Sequence, residues 1–571
     1  MAKFLFSLHQ CRPFYKCLLF GFILLVNAQG VLGQNNPPAW EWVDAIGGGV
    51  GNPTTCFGVA ADTNGNSYVS GGFTGTARFG AFALTSPAQT KQLYVAKIGP
   101  AGLYQWVTSV TGYGRGEGQS VSVDASGSVY VTGNFDGQLT FGATTLTSAG
   151  DNDVFVAKLS STGTWLWAAS GGGYSLDVGR SIKVSSTGTV FVAGQIRIQA
   201  SFGNTPQLQA TSGFADIFVA ALDAATGTWQ WSRCAIGNPA TTAANNYGWS
   251  LGLNAAGEVY LAGTFAGQAT FGATTLTSPG SGNDIYVAKM TATGTWLWAR
   301  QAGGNSSDEC RALAVDGPGN VYLTGWYSLQ ATFGSTVLTG SGRTYVAKLD
   351  TNGGWQWAIQ SVGSGFTTGR GISLDASGQR LYIGGNYSGA MTLGPYSLTA
   401  SGPFDQYVAS LNVAGTWLWA QQASGTDRIV TNSITSDANG TVYTCGYALS
   451  TSNFGRNTLA HSNPPAEQPF VARLAQGVVT ATQQSATGVD GMAWPSPAVQ
   501  KQVVHMQWAT GKTPVALIIR DALGRIVYQE KLLKSSDSEV AFPAPPLAGW
   551  YHCQILFSGS SAVTSYLVVQ P

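Results

Sequence analysis

A pair of aromatic residues one position apart returns along most of this chain, and no other feature constrains its fold so tightly. It reads TGTWLWA at Thr162–Ala168 and again at Thr293–Ala299. Variants stand at Trp40/Trp42, Tyr104/Trp106, Trp229/Trp231, Trp355/Trp357 and Trp417/Trp419. The second members lie 59 to 67 residues apart. Self-similarity at such a period marks units that each form one supersecondary structure and bury their apolar faces against neighbours.

Every unit has the same internal order. The second runs SVSVDASGSVYVTGNF (Ser120–Phe135), TFGATTLTS (Thr140–Ser148), DVFVAKLS (Asp153–Ser160) and then the aromatic pair. Alternating apolar and small residues predict strands. The DASG at Asp124–Gly127 predicts a hairpin turn, and Asp62–Gly65, Asp316–Gly319, Asp375–Gly378 and Asp437–Gly440 fill the same slot. Four antiparallel strands per unit, with a short excursion between the second and third, predict an all-β, seven-bladed β-propeller over residues 34–475. Residues two apart on a strand share a face, so both aromatics of a pair are expected to point one way, toward a neighbouring blade. Burying a tryptophan there is worth roughly 2–3 kcal/mol. Because the pair occurs in every unit, packing outweighs the alternative of a sugar-stacking strip.

The register predicts how the repeat ends meet. The first unit supplies only a fourth strand (Trp40–Ile46), and the last stops at a third (Phe470–Leu474). Pairing them completes the seventh blade and removes two open edges. The motifs GxVYVTGxF and FG…LTS…DxFVAKL resemble the SBBP-type seven-bladed propeller repeat of secreted bacterial proteins, over residues 39–475. The resemblance implies a fold and no particular ligand.

Composition narrows the functional classes. Of 571 residues only 10% are charged, with net charge +1, which gives no electrostatic footprint for nucleic acid or an anionic membrane. Lys3, Arg12 and Lys16, the apolar run Cys17–Val26, and small residues at Ala28 and Gly33 predict a signal peptide over residues 1–33, cleaved after either small residue. Beyond it no stretch is long and apolar enough to predict a membrane-spanning helix. Cys56, Cys234, Cys310, Cys445 and Cys553 lack CxxC or Cys/His spacing and read as small, mostly buried residues.

After Leu474 the pattern changes. A polar linker spans residues 476–493, and residues 494–571 read as a small immunoglobulin-like β-sandwich. PVALIIRDALGRIVYQEKL (Pro514–Leu532) predicts two strands around a turn at Ala522–Gly524. Pro495–Pro497, Asp521, Gly524 and Arg525, Leu547, Gly549 and Tyr551, and the terminal YLVVQ resemble the type A C-terminal sorting domain of the type IX secretion system of Bacteroidota. The family often carries Lys or Arg before its final strand, where this chain has Thr564 and Ser565. The resemblance implies the secretion machinery as partner, a secreted or outer-membrane cell-surface location, and removal of the tail.

Motifs for catalysis are sparse. Beyond the leader only His461, His505 and His552 occur, and no GxSxG, HExxH or P-loop is present. The DTNG at Asp62–Gly65 and DANG at Asp437–Gly440 lack the further acidic ligands of a calcium loop and read as turns. Asp153, Asp216, Asp284 and Asp405 precede the third strand in four units and read as structural. The lysines of VAK (Lys97, Lys158, Lys289, Lys348) read as solvated or blade-edge charges. No metal and no cofactor is predicted.

One slot varies. Five residues before the first turn it holds Phe57, Gln119, Arg180, Trp249, Arg311, Arg370 and Asn432, beside positions that stay small (Gly58, Ser120, Ser181, Ser250, Ala312, Gly371, Ser433). It opens the strand nearest the axis, so these seven are the candidate ligand-binding residues of one channel mouth. The opposing reading pairs the arginines with Glu117 and Glu309 or stacks them on neighbours. The functions expected are a non-catalytic module binding glycan or a surface protein, a polysaccharide hydrolase or lyase, or a structural spacer. The sparse chemistry favours a binder or a spacer.

Overall fold

The computed structural model describes residues 38–47, 53–87, 90–210, 215–237, 246–461 and 467–475 of the repeat region. In the tail it describes residues 492–494, 498–499, 503–507, 514–521, 525–531, 539–543, 549–557 and 562–570. The leader, residues 476–491 of the linker, Pro495–Pro497, Gly524 and Leu547 lie outside the described residues, whereas the last two linker positions, Met492 and Ala493, already belong to a strand. Strand dominates, and no α-helix occurs among the described residues. Residues 37–476 form one compact unit and the tail belongs to another.

Among the described residues the repeat region contains seven antiparallel sheets with the same four-stranded body, three of them extended by a two-stranded excursion, and all but the seventh run in chain order from the inner strand outward. The second sheet is typical: Gly116–Val123, Val129–Phe135, Asp153–Leu159 and Trp165–Gly172. Its excursion is a two-stranded hairpin, Gln138–Phe141 with Thr144–Thr147. The seven inner strands are Gly58–Ala61, Gly116–Val123, Val178–Val184, Tyr247–Leu253, Glu309–Val315, Thr367–Leu374 and Ile429–Ser436. Each packs beside the next, and the seventh packs beside the first. The outer strand of the seventh sheet is Ala39–Ala45, paired antiparallel with Gln468–Ala475 from the far end of the unit. That is the register the sequence predicts.

The core lies between sheets. One cluster joins Phe191, Ile217 and Val219 of the third sheet to Leu261, Tyr286 and Met290 of the fourth. The aromatic pairs close these junctions, but not as expected. In the second sheet the ladder slips between Lys158↔Trp167 and Leu159↔Trp165, so Leu166 is an extra residue and 53% exposed. The bulge breaks the simple alternation. Trp165 donates its indole N–H to Ser109 O of the preceding sheet, 3.0 Å away. Trp167 donates to Ala224 O of the following sheet at 3.2 Å. Trp229 and Trp231 repeat the division, to Ser170 O and Ala292 O. The two aromatics therefore staple a sheet to both neighbours instead of facing one.

The turn aspartates bind their own backbone, as the turn reading requires. Asp62 accepts from Asn64 N and Asn66 N, each at 2.9 Å. The VAK lysines are pinned more firmly than expected: each ammonium sits 5.0–5.4 Å from the ring centre of a tyrosine on the second strand. Lys289 is also paired with Glu258 at 2.7 Å. The five cysteines are unpaired, four of them buried and Cys234 partly so.

The tail has two sheets among its described residues. Met492–Trp494, Val503–Gln507 and Glu539–Pro543 make one. Ala498–Val499, Ala562–Gln570, Gly549–Phe557, Pro514–Asp521 and Ile526–Lys531 make the other. Leu517 pairs with Ile555 and Ile519 with Cys553, and all four are buried. The predicted hairpin of Pro514–Leu532 is present as the pair Pro514–Asp521 and Ile526–Lys531.

Candidate binding channel

All seven slot residues line one cavity of about 300 Å³ bounded by the seven inner strands. The cause is a bulge repeated from sheet to sheet. In the third sheet Gly179 pairs with Gly194 and Ser181 with Ala193, so Arg180 is left without a partner. The same slip leaves out Gln119, Trp249, Arg311, Arg370 and Asn432. Phe57 stands just before the first inner strand, its N–H on Ser70 O. A bulge residue leaves the ladder and its side chain is re-aimed, here into the space around the axis.

The small residue after the slot has its own task. An innermost strand presents unpaired N–H groups on its free edge. Ser181 Oγ accepts from Leu251 N of the next inner strand at 3.0 Å, and Ser250 Oγ accepts from Leu313 N at 3.1 Å. These serines cover the edge that would otherwise face the channel. Where the position is glycine the strands are simply close: a Cβ on Gly58 would come within 3.0 Å of Ser120 Cα.

Cations dominate the lining. Arg180, Lys183, Arg311 and Arg370 border the cavity, and no aspartate or glutamate does so among the described residues. Trp249 is flanked by two guanidiniums from the neighbouring sheets, Arg180 Cζ at 4.6 Å and Arg311 Cζ at 4.4 Å from the ring centre. Cation–π contacts of this kind contribute roughly 0.5–2 kcal/mol each. Tyr247 packs against the same indole at 5.3 Å. Arg311 also pairs with Glu309 at 2.5 Å, and Arg180 Nη2 reaches Gln195 Oε1 at 3.4 Å. The stacking and pairing reading thus holds for Arg311 and in part for Arg180. It does not hold for Arg370, for which no hydrogen bond or ion pair is found among the described residues. The Nε groups of all three arginines and Trp249 Nε1 are buried without an acceptor.

Two polar slot residues are engaged elsewhere. Asn432 donates to Cys56 O at 2.8 Å, tying the seventh sheet to the segment before the first. Gln119 donates to Glu117 at 3.3 Å. Glu117 itself is held by Lys91 and by Thr55 Oγ1. Phe57 adds an apolar wall.

The electrostatics match a crowded positive lumen. Desolvation is the main cause that lowers the Arg180 and Arg370 pKa values, and the charge of Arg311 lowers both further. Lys183 was not among the sequence candidates. It stands three positions beyond the slot, where the other sheets carry Ala60, Ser122, Gly252, Ala314, Ser373 and Thr435. Aligning that position would have exposed it as the one charge in a ring of small residues. Its side chain is exposed in the lumen, and desolvation by the surrounding walls lowers its ammonium pKa from the ordinary lysine value.

Comparison with known proteins agrees with the repeat. A β-propeller repeat family (SBBP) matches residues 297–326. The chain is 25% identical over 424 residues to an uncharacterised WD repeat-containing protein of Acanthamoeba polyphaga mimivirus, covering 63% of this chain and 27% of that protein. It is 25% identical over 377 residues to the regulatory protein FlaEY of Caulobacter vibrioides, covering 61% of this chain and 37% of that one. The chain thus spans well under half the length of either relative. Among solved structures it is similar to a quinohemoprotein alcohol dehydrogenase from Comamonas testosteroni (TM-score 0.35, 11% identity, 82% of this chain and 73% of that one). It is also similar to a protein of unknown function from Dyadobacter fermentans (TM-score 0.33, 12% identity, 63% and 94%).

Proposed function

We propose that the seven sheets are blades of one closed propeller and that the chain is a non-catalytic binding module whose ligand is an acidic glycan or similar anionic polymer. One observation carries the reading: four cations and no carboxylate among the described residues line a cavity built from bulge positions. A propeller needs no cation there for stability, since the ring is held by sheet-to-sheet packing. Arginine forks suit carboxylate and sulfate groups. The succession of inner strands and the Ala39–Ala45 pairing with Gln468–Ala475 support closure.

The same proposal places the protein outside the cell. The leader at residues 1–33 and the sorting-domain motifs at residues 494–571 support export by the type IX secretion machinery to the surface or medium. The two strand-paired sheets of the tail suit an immunoglobulin-like sandwich.

The test is binding of the purified full chain to neutral and acidic polysaccharides at low and high salt. Salt-sensitive retention of acidic polymers, lost in the triple variant Arg180→Ala, Arg311→Ala, Arg370→Ala with unchanged melting, is the expected result. Equal retention by that variant, or none by the wild type at low salt, removes the binding role and leaves a spacer. Bond cleavage in the same incubations would make the protein an enzyme. Export is tested separately: a chain lacking residues 494–571 is expected to accumulate in the periplasm of a native-type host, and normal surface display would overturn that part.

A further inference from the structure

One contact between neighbouring sheets recurs among small residues, and at a single junction it joins two cysteines. The residue just before the slot packs against the second strand of the preceding sheet. A Cβ on Gly118 would lie 3.0 Å from Ser70 Cβ, and one on Gly369 would lie 3.0 Å from Thr324 Cβ. Gly179 meets Thr132 in the same way. Where the seventh sheet meets the segment before the first, these two positions hold Cys445 and Cys56. Both are buried, and they share one core cluster. The Cys445 thiol is hydrogen-bonded to the Cys56 thiol and lies 3.9 Å from Cys56 O. Asn432 donates to the same carbonyl at 2.8 Å, which fixes the backbone there. Cys310 holds the corresponding position in the fifth sheet, but the residue opposite it is Ala262.

The pair spans the one break in the seven sheets. Six of them are each a continuous stretch of chain. In the seventh the outer strand, Ala39–Ala45, comes from the other end of the unit and pairs with Gln468–Ala475 without a covalent link. Cys56 follows that outer strand, and Cys445 lies on Val442–Ala448, the second strand of the same sheet. A bond between them would tie the two ends together across 389 positions of sequence. Cross-linking so long a loop takes more entropy from the unfolded chain than cross-linking a short one. A disulfide needs its Cβ atoms about 3.5–4.5 Å apart, and the neighbouring junctions show that strands at this position approach at least that closely.

We propose that Cys56 and Cys445 are joined as a disulfide in the folded, exported protein, a covalent lock on its seventh sheet. Where the oxidant is met rests on the export reading above, whereas the pairing itself does not. The oxidant is the reactive disulfide of an exchange partner, such as glutathione disulfide or a dithiol oxidase. The thiolate of one cysteine attacks that disulfide, forms a mixed disulfide and releases one thiol. The thiolate of the other then attacks the protein sulfur of the mixed disulfide and releases the second thiol. Two electrons pass to the exchange partner, and the two protons end on its thiols. Desolvation, and after it Cys56, hold the Cys445 thiol above its ordinary value, and only the thiolate exchanges. Exchange therefore precedes burial: the bond forms while this junction is open and is sheltered from reductants once it has closed.

The experiment is refolding of the full chain in a glutathione redox buffer, followed by alkylation in denaturant and peptide mapping without reduction. A linked Cys56–Cys445 peptide is expected, with Cys234, Cys310 and Cys553 alkylated. The oxidised chain is expected to melt about 3 °C or more above the same chain kept reduced. Cys445→Ala is expected to abolish that gap, and it places there the residue that the third and fourth sheets already carry as Ala193 and Ala262. Cys56 and Cys445 both alkylated after refolding overturn the pairing, as does a peptide linking either of them to a different cysteine. Equal melting of oxidised and reduced wild type overturns the lock. The same map, made on protein recovered from a native-type host, needs no refolding. Protein recovered outside the cell with both thiols free overturns the lock and leaves the export reading standing. Protein retained in the cytoplasm, yet linked on refolding, overturns export and supports the pairing.

Discussion

The outer and inner strands of these sheets follow opposite rules. Along the outer strands one contact recurs. The second aromatic of a sheet lies over the glycine of the next sheet's last hairpin: Trp106 over Gly163, Trp167 over Gly227, Trp231 over Gly294, Trp298 over Gly353 and Trp357 over Gly415. Along the inner strands the slot holds five different residue types, with arginine in three of the seven sheets. Packing explains the contrast. The outer aromatic fills a junction of fixed shape, so its size and that of its partner are set. The slot residue has been put out of the ladder by a bulge, so its size is not set by the ladder, and it makes contacts of its own to neighbouring sheets, as Asn432 does to Cys56 O and Trp249 to two arginines.

The hardest way to break this arrangement is at its seam. Removing residues 38–47 takes away Ala39–Ala45 and leaves Gln468–Ala475 as an open edge. Trp40 goes too, with its indole bond to Gln422 O of the sixth sheet. The expected outcome is loss of cooperative melting and aggregation, seen by calorimetry and light scattering. A soluble truncation with unchanged melting would show that the repeat region does not depend on this strand.

Next comes a direct contest between the two regions. Gly227 has φ +72°, and a Cβ would lie 2.6 Å from Trp167. Left-handed backbone costs about 1–2 kcal/mol for a non-glycine residue, and overpacking adds about 1–3 kcal/mol. Gly227→Ala is therefore expected to lose about 3 kcal/mol. Gly188 has φ +82° with nothing within 4 Å, so Gly188→Ala should lose only the backbone share, about 1–2 kcal/mol. Arg370→Ala in the inner region should lose under about 0.5 kcal/mol in urea melts. Equal effects at all three sites would erase the distinction.

Between the two regions lie the sheet junctions, where a third behaviour is expected. Asp153 meets Asp177, and Asp284 is hydrogen-bonded to Asp308, all four buried. Desolvation raises Asp177 and Asp308 to about 7, with the partner carboxylate adding to it. Desolvation also raises Asp153 and Asp284 to about 6. Folded-state values above the unfolded one mean that the native state keeps protons the unfolded chain has released. Stability from these pairs is thus full below about pH 4 and declines as pH rises to about 7. The junction of the third and fourth sheets has an amide in place of the second carboxyl: Asn246 Nδ2 donates to Asp216 at 2.9 Å. Asp177→Asn and Asp308→Asn are expected to flatten the stability profile between pH 4 and 8 and to raise melting above pH 7. A profile unchanged by both would show that the pairs do not share protons.

What could be read from the sequence follows the same division. Strand order, the turn aspartates and the seam all rest on periodicity, and periodicity is a property of the sequence itself. The seven slot residues were found by aligning units, which works because the bulge falls at the same place each time. The bulge itself leaves no mark: Gly179, Arg180 and Ser181 look like three residues of any strand. For the same reason the opposite directions of Trp165 and Trp167 were hidden by the extra residue Leu166. Lys183 stands three positions from the slot, and the path of the inner strand along the cavity brings it into the same lining. The Asp153–Asp177 and Asp284–Asp308 pairs join positions in different sheets, and only the junction geometry brings them together.

The smallest effect tests the staple itself. Trp42, Trp106, Trp167 and Trp231 each donate to a carbonyl on the following sheet's last hairpin, Trp167 to Ala224 O at 3.2 Å. Trp419 of the sixth sheet faces the seventh, where the third and fourth strands come from opposite ends of the unit and no hairpin joins them. Its indole is 2% exposed, and its N–H is buried with no acceptor. An unmade hydrogen bond in a buried site is a penalty already present in the native protein. Removing the donor relieves it, while the loss of ring volume works the other way. Trp167→Phe loses the volume and a made bond, worth about 1 kcal/mol. Trp419→Phe loses the volume alone and is relieved of the orphan. The two substitutions, compared in urea melts, are expected to differ by about 1–2 kcal/mol in favour of Trp419→Phe. Equal losses would mean that the indole bonds add nothing to the sheet-to-sheet staple, and that ring volume alone keeps the pair in every unit.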